Sequence, residues 1–178
     1  MKAKNDLQNK LSELISSEIG HLKQIKNTIN ITSSEVIEIQ SISDYVLEQI
    51  PTILPKKGTI TIYVIKSNSK LNIEELNNKR DFWFNKGYQM SKVNNENSDI
   101  NKENCLYVGQ SKNISDRLKQ HLFLSRKSTY ALRLNKLLEK GSISIEIYEF
   151  NNKPNEVQIF EDLLWDHYRP LFGKQGKK

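Results

Sequence analysis

The segment 107–122 carries side chains of the types that could cut a phosphodiester bond. Tyr107 and Gly109 end an apolar stretch, and Arg117 and His121 follow four residues apart in a helical pattern, after a capping residue such as Asn113 or Ser115. An arginine guanidinium binds two phosphate oxygens at once, and a histidine one turn away can exchange a proton near neutral pH. The segment therefore predicts a strand, a sharp turn at Gly109 and a helix that presents a phosphate-binding pair.

A carboxylate also lies within the apolar stripe of the last predicted helix. Glu161 falls among apolar side chains that recur at spacings of three and four: Val157, Phe160, Leu164, Trp165 and Tyr168. An ionised carboxylate withdrawn from water costs several kcal/mol unless it meets a cation, hydrogen-bond donors or a metal ion. An internal ion pair with a lysine or arginine and a metal site are therefore both open interpretations of Glu161.

Basic side chains are concentrated in one part of the chain, whose net charge is +6. The segment 110–140 holds eight basic residues and two acids, so its excess of six equals that of the whole chain. Such a field favours a polyanion, and nucleic acid is the common one, although solvated helix faces are the alternative. The candidates for contact with a DNA backbone are Lys112, Lys119, Arg126, Lys127 and Arg133.

Composition bounds the class of protein. A chain of 178 residues fits one domain with a short accessory segment, and no apolar run approaches the roughly 20 residues of a membrane span. Cys105 is the only cysteine, which excludes an internal disulfide and a thiolate zinc site. The amino terminus lacks the apolar stretch of a secretory signal, so we expect a cytoplasmic protein without a membrane partner.

Apolar alternation predicts a sheet. Thr59–Ile65 alternates as a half-buried strand, Cys105–Gly109 repeats the arrangement, and Ser142–Glu149 gives a third strand. If the first two strands pair, Tyr63 and Tyr107 project from the face of the sheet that lacks the aliphatic residues.

Helical patterns surround these strands. Residues 1–57 are expected to form a helical accessory region, in which Thr32 and Glu35 make a capping box for the second of two helices. A helix is also predicted for Thr129–Lys140, and Tyr130 would continue its apolar stripe.

An insert at about 66–104 separates the first two strands. It contains ten asparagines, a residue type that favours turns over a packed core. Ile73–Lys86 predicts a helix, and Asn94–Asn104 is expected to be flexible. The aromatic cluster at 82–88 is interpreted as a small satellite core, with a platform for base stacking as the alternative.

The chain resembles the GIY-YIG nuclease family in these residues. Thr61-Ile62-Tyr63 corresponds to the first motif and Tyr107-Val108-Gly109 to the second, and Arg117, His121 and the later helical Glu161 follow in the order of the family. The resemblance runs from about residue 59 to 172 without the insert. The chain departs from the family pattern in the threonine of the first motif and in the length of the insert.

The resemblance implies an α+β fold: a small three-stranded, mainly antiparallel sheet flanked by helices, in a nuclease domain 58–178 that follows the helical extension 1–57. It also implies cleavage of DNA with one divalent cation per active site, Mg²⁺ or Mn²⁺, held by Glu161. Tyr63 would hold or deprotonate the attacking water, and Tyr107 would support it by hydrogen bonding.

The resemblance assigns the remaining site residues as well. Arg117 would neutralise charge on the phosphate, and His121 would contact a phosphate or assist proton transfer. Tyr130 stands where the family often has a tyrosine or histidine. The expected base is a phenol whose pKa is lowered by nearby cations.

The leading hypothesis is a restriction-type endonuclease that cuts double-stranded DNA as a homodimer, similar to small stand-alone members of the family. One alternative is a repair or mobile-element nuclease that recognises DNA structure. Two others are a nucleic-acid-binding protein that keeps the fold without cleavage and a helical adaptor. The sequence does not indicate the recognition sequence, the cut pattern or which tyrosine loses its proton.

Overall fold

An antiparallel sheet of four strands organises the part of the chain that the structure, a computed structural model, describes: residues 31–39, 60–123, 126–138, 142–150 and 154–174. The helices predicted within 1–30 and 40–59 lie outside these residues.

The described residues form four strands and four α-helices. The strands are β1 (Ile31–Ile39), β2 (Ile60–Ser67), β3 (Cys105–Ser111) and β4 (Ile143–Phe150). The helices are α1 (Ile73–Asn85), α2 (Ile114–Leu122), α3 (Leu134–Leu137) and α4 (Pro154–Tyr168), and a short 3₁₀ turn covers Asn95–Asn97. The side chain of Asn113 caps α2 by accepting a hydrogen bond from the backbone N–H of Asp116, 3.3 Å away.

The sheet order is β1-β4-β2-β3, and every neighbouring pair is antiparallel. The predicted α+β fold, with β2, β3 and β4 as an antiparallel sheet flanked by helices, is therefore confirmed. Thr61 lies inside β2 with ordinary strand pairing to Ser111 and Glu149. A threonine is thus tolerated in the first motif because the backbone there does not need a glycine.

The strand β1 was not predicted. The capping box at Thr32 and Glu35 indicates a helix, but Ile31–Ile39 pairs along the free edge of β4. β-Branched residues are frequent in this stretch and favour a strand, and the edge of β4 supplies backbone hydrogen-bond partners. The helical prediction is wrong for these nine residues because pairing with a distant strand overrides a local capping signal.

The main core lies on the sheet face that carries both tyrosines. Ile65 lies opposite Tyr107 in β3 and opposite Ile145 in β4, and directly opposed residues share a face. Tyr63, two residues from Ile65, points the same way. The tyrosines do share a face, but the prediction that this face lacks aliphatic residues is wrong. Helices α1 to α3 cover it with buried leucine and isoleucine side chains: Leu76, Ile114, Leu118, Leu122, Leu134 and Leu137.

Helix α4 covers the opposite face of the sheet. Val157 is fully buried, and the Phe160 ring makes edge-on contacts with Tyr148 and Phe150 at centroid distances of 5.8 and 5.4 Å. The last predicted helix is therefore present as α4. It packs Val157 and Phe160 of its apolar stripe against the sheet, and Glu161 follows Phe160 directly.

The helix predicted for Thr129–Lys140 is wrong in extent, because within its described residues, 129–138, only Leu134–Leu137 is helical. Arg133 adopts a left-handed backbone conformation, with φ of 57°, directly before it. Its guanidinium donates hydrogen bonds to the carbonyl oxygens of Gln89, Arg126, Lys127 and Thr129. Three of these carbonyls lie within the seven residues before Arg133, so the side chain organises an irregular loop where a helix was expected.

The asparagine-rich end of the insert is ordered. The side-chain amide of Asn94 donates to the carbonyl oxygens of Pro170 and Gly173, and that of Asn97 also donates to Pro170. The amide of Asn101 donates to the carbonyl oxygens of Cys105 and Arg169. The prediction of a flexible segment is wrong, because these asparagines satisfy backbone carbonyls instead of forming solvated turns. We call Asn94, Asn97 and Asn101 the asparagine clamp.

Two further sequence predictions concern the helices. The helix predicted for Ile73–Lys86 is confirmed as α1, which begins after the capping side chain of Asn72. None of the helices in the described ranges combines the length and the apolar character that a membrane span requires.

Candidate active site

Two phenols meet across the paired strands β2 and β3. Tyr63 lies opposite Gly109, and its ring stacks on that of Tyr107 at a centroid distance of 5.9 Å. A β-carbon at Gly109 would lie 2.4 Å from the Tyr107 ring and 3.1 Å from the Tyr63 hydroxyl. The predicted turn at Gly109 is wrong, since this residue is inside β3. A glycine is needed because the two phenols occupy the space of its side chain.

A second glycine, Gly173, lies close to the Tyr107 ring. A β-carbon at Gly173 would lie 2.9 Å from the opposite edge of the Tyr107 ring, and its φ of +96° would strain any other residue. The segment that carries Gly173 is the one held by the asparagine clamp. The position of Tyr107 therefore depends on Gly173 and on residues of the insert that hold the segment around it.

His121, on α2, forms a hydrogen bond with the Tyr63 hydroxyl. Its Nε2 atom lies 3.0 Å from the Tyr63 oxygen, and its Nδ1 atom accepts a hydrogen bond from the backbone N–H of Leu132 at 3.2 Å. Because Nδ1 acts as acceptor, the ring proton is on Nε2 and is donated to Tyr63. Burial, and then the charge of Arg117, lower the pKa of His121 well below its usual value, so the ring is neutral. The imidazole is fully buried, which disfavours the predicted direct contact with a phosphate.

Arg117 lies one turn before His121 on α2, close to the two phenols. Its Nη1 atom donates to the Gln120 side chain at 2.9 Å and to the backbone carbonyl of Tyr130 at 3.1 Å. Burial alone would lower the pKa of Arg117, but its interactions with Tyr63 and Tyr107 outweigh burial and raise it. The guanidinium is therefore permanently charged beside both phenols.

The pKa of Tyr63 moves opposite to the prediction. Burial raises it well above its usual value, the neighbouring Tyr107 and Glu161 add to that rise, and Arg117 opposes it. The expectation of a phenol with a lowered pKa is therefore wrong for Tyr63, because full burial outweighs the single cation.

Glu161 is half-buried on α4, near the amides of Gln110 and Gln158. These amides lower its pKa, and the Gln158 side chain donates a hydrogen bond to the neighbouring Asp162 at 3.2 Å. Burial and the nearby charge of Asp162 dominate, so the pKa rises to about 7. No ion pair to Glu161 is found among the residues that the structure describes. The internal ion pair that the sequence left open is therefore not formed there.

A cavity of about 520 Å³ opens beside these groups and is lined by Tyr107, Arg117 and Tyr130, among others. Tyr130 is 62% exposed, so its interpretation as part of an apolar stripe is wrong. The side chain faces solvent because the chain becomes helical only at Leu134. Tyr107 is the phenol that faces this cavity, whereas Tyr63 is fully buried behind it.

The predicted DNA-contacting residues divide into two groups. Lys112, Arg126 and Lys127 are exposed, and Lys119 is half-buried. Arg133 is only 1% exposed and is used to bind backbone carbonyls. Its prediction as a DNA contact is wrong, because a charge enclosed by carbonyl oxygens cannot reach a phosphate.

Sequence reasoning missed several groups that shape the site. Gln158 precedes Glu161 by three residues on α4, and this spacing could have indicated a partner for the carboxylate. Gln110 directly follows Gly109, but nothing in the sequence shows that its amides reach α4. The backbone N–H of Leu132 leaves no sequence signal at all.

Comparisons with known proteins match part of this arrangement. The model of the GIY-YIG catalytic domain matches residues 90–175. The match includes β3, α2 and α4, with Tyr107, Arg117, His121, Tyr130 and Glu161, and begins after β2 and Tyr63. Searches of curated proteins and of solved structures gave no match. Within the described ranges, no three His, Cys, Asp or Glu side chains are grouped so as to hold a metal ion.

Proposed function

This chain belongs to the GIY-YIG nuclease family, and we propose that it is a divalent-metal-dependent endonuclease that hydrolyses phosphodiester bonds in double-stranded DNA. Family membership supports a nucleic-acid substrate. The observation that carries the finer proposal is the convergence of Arg117, Tyr107 and the Tyr63–His121 pair at β3, with the charge of Glu161 near enough to raise the pKa of Tyr63.

Arg117 and Tyr107 are the groups that bind the scissile phosphate in this proposal. Both line the cavity, and Arg117 keeps its charge at any physiological pH. A guanidinium fixed by Gln120 and the Tyr130 carbonyl needs little reorganisation to offset the extra negative charge of a pentavalent phosphorus.

In this proposal, the two phenols and His121 are the groups that accept and donate protons. The neutral imidazole donates its Nε2–H to Tyr63, so a phenolate formed within the stacked pair would be stabilised by that donor and by Arg117. Substitution of Tyr63 or Tyr107 by phenylalanine, each assayed for the pH dependence of cleavage, identifies which phenol takes the proton.

Glu161 would hold the metal ion. A half-buried carboxylate that neutral amides contact, with a pKa raised to about 7, fits a site whose favoured state includes a cation. Mg²⁺ is commonly bound by one or two carboxylates with water and substrate oxygens filling the remaining positions, so the absence of further acids among the described residues is compatible with one ion. When bound, Mg²⁺ or Mn²⁺ would supply Lewis-acid stabilisation of phosphate charge.

We further propose restriction-type cutting by a homodimer, because one active site per subunit addresses one strand at a time. The exposed basic residues Lys112, Arg126 and Lys127 support contact with a DNA backbone.

Cleavage of supercoiled plasmid with Mg²⁺ or Mn²⁺ tests the proposal. We expect wild type to give discrete fragments, and Glu161→Gln to lose roughly 10²- to 10³-fold or more in cleavage rate. Asp162→Asn is the matched control, because it removes the adjacent acid of the same helix and should keep most of the activity.

The other outcomes of this assay are informative. A preference for branched DNA would replace restriction-type cutting by structure-specific cutting. Binding without any cleavage in either metal would overturn the proposal that the chain is an enzyme.

A further inference from the structure

The cavity beside Tyr107 and Arg117 extends well beyond the groups that catalysis needs. Its far wall comes from α1 and from the segment after it, through Arg80, Phe84 and Lys92, and from Lys174. These residues belong to the insert and to the end of the domain, and none has a role in the proposed chemistry. The volume of about 520 Å³ lies in the range of sites that enclose a small ligand.

The cavity lining is strongly cationic. Arg80, Lys92, Arg117 and Lys174 are among the ten described residues that line it, and none of those ten is an acid. Arg80 forms an ion pair with Asp81 through its Nη1 atom. Its Nε–H group has no hydrogen-bond acceptor among the described residues. A lining with this charge favours a polyanionic ligand.

Two exposed aromatic rings line the same cavity. Phe84 is 42% exposed and Tyr130 is 62% exposed, although apolar rings are normally buried. The Arg80 guanidinium lies 4.6 Å from the centre of the Phe84 ring. Trp83 and Tyr88, in contrast, pack against the main core. The aromatic cluster of the insert therefore has both a core part and an exposed part.

We propose that this cavity binds an unpaired nucleotide next to the scissile phosphate, with its base stacked on Phe84 or Tyr130 and its phosphates near Arg80, Lys92 and Lys174. Aromatic rings surrounded by cations form the usual binding surface for unpaired bases. A paired base cannot offer its flat face to a side chain, so the substrate class is DNA with a single-stranded or extruded nucleotide at the cleavage position. This inference rests on the proposed function for its position beside the reaction.

Binding of single-stranded oligonucleotides without metal tests the subsite. Fluorescence anisotropy in EDTA compares an oligothymidylate with an abasic oligonucleotide of the same length, which carries the same phosphates but no bases. We expect wild type to bind the thymidylate roughly 5- to 150-fold more tightly, the value of one stacked base. Phe84→Ala should remove most of this preference and leave binding of the abasic strand unchanged.

The chain offers a matched control on the same helix. Phe82 is 52% exposed but is absent from the cavity lining, so Phe82→Ala should keep the preference. Tyr130→Phe should also keep it, and Tyr130→Ala should weaken it. An equal loss from Phe82→Ala and Phe84→Ala, or a wild type that binds both strands alike, overturns the subsite.

The plasmid assay on the same preparations separates this inference from the proposed function. Cleavage without a preference for bases rejects the subsite and leaves the nuclease intact. A preference for bases that Phe84→Ala removes, in a protein that cuts nothing, supports the subsite and rejects the enzyme.

Discussion

Two half-buried carboxylates on the α4 side of the sheet have opposite electrostatic surroundings. Glu146 accepts hydrogen bonds from Lys66, Tyr148 and Tyr168, and these partners outweigh burial and lower its pKa. Glu161 is contacted by neutral amides and has its pKa raised to about 7.

The difference distinguishes a carboxylate that has a cationic partner from one that has none among the described residues. Lys66 is itself almost fully buried and its pKa is raised by Glu103, Glu146 and Tyr168 against the effect of burial, so the charge of Glu146 has a cationic partner within that cluster. The site around Glu161 leaves its negative charge uncompensated by the described residues. Glu146 has Lys66 as a cationic partner and Glu161 has no such partner among the described residues, which supports the proposal that Glu161 serves a ligand.

The largest stability effect is expected at Glu146. Glu146→Gln removes a charged acceptor from buried Lys66 and should lower the free energy of unfolding by about 2 kcal/mol. Because the pKa of Glu146 is lowered in the folded state, its stabilisation is present above the usual carboxylate pKa and is lost as the pH falls further. Urea unfolding of both proteins should therefore show a difference that shrinks in acid. A variant as stable as wild type at pH 7 would contradict the comparison.

The same substitution at Glu161 should have the opposite sign. The raised pKa means that the folded state holds this proton more tightly, so wild type loses stability as the pH rises from about 4.5 to about 7. Glu161→Gln removes that loss and should be more stable at pH 8 by about 1 kcal/mol, after allowance for solvent screening. The two proteins should unfold alike near pH 4. Urea titrations in EDTA measure this, and destabilisation at pH 8 would show that Glu161 is neutralised after all.

The smallest effect concerns the neighbour of Glu161. The charge of Asp162 contributes to the raised pKa of Glu161, so Asp162→Asn should lower that pKa, as carboxyl carbon chemical shifts measured against pH would show. An unchanged titration of Glu161 would assign the whole shift to burial.

Much of the fold could be predicted because its signals are local. The strands β2, β3 and β4 are runs of apolar residues, and the helices α2 and α4 repeat apolar residues at helical spacings, so both kinds of element leave a pattern in the sequence. The strand β1 and the short α3 escaped because their causes are distant. β1 depends on the free edge of β4, and the loop before α3 depends on Arg133 reaching a carbonyl of Gln89.

The site divides in the same way. Residue type and spacing indicated Tyr107, Arg117 and His121 as candidates, and the resemblance to the GIY-YIG family linked Glu161 to them. The neutral state of His121 and the raised pKa of Tyr63 could not be predicted, since both follow from complete burial and from contacts made by residues far along the chain. Arg133 shows the reverse error, because composition cannot distinguish a basic residue on the surface from one enclosed by carbonyls.

The asparagine clamp has a consequence for protein engineering. Hydrogen bonds from Asn94 to Gly173 join positions separated by 79 residues, and Gly173 in turn contacts the Tyr107 ring. A chimaera that exchanges the insert for a short hairpin would therefore remove the hydrogen bonds that hold Gly173 beside the Tyr107 ring. Anyone transplanting the insert into another nuclease must move residues 169–173 with it.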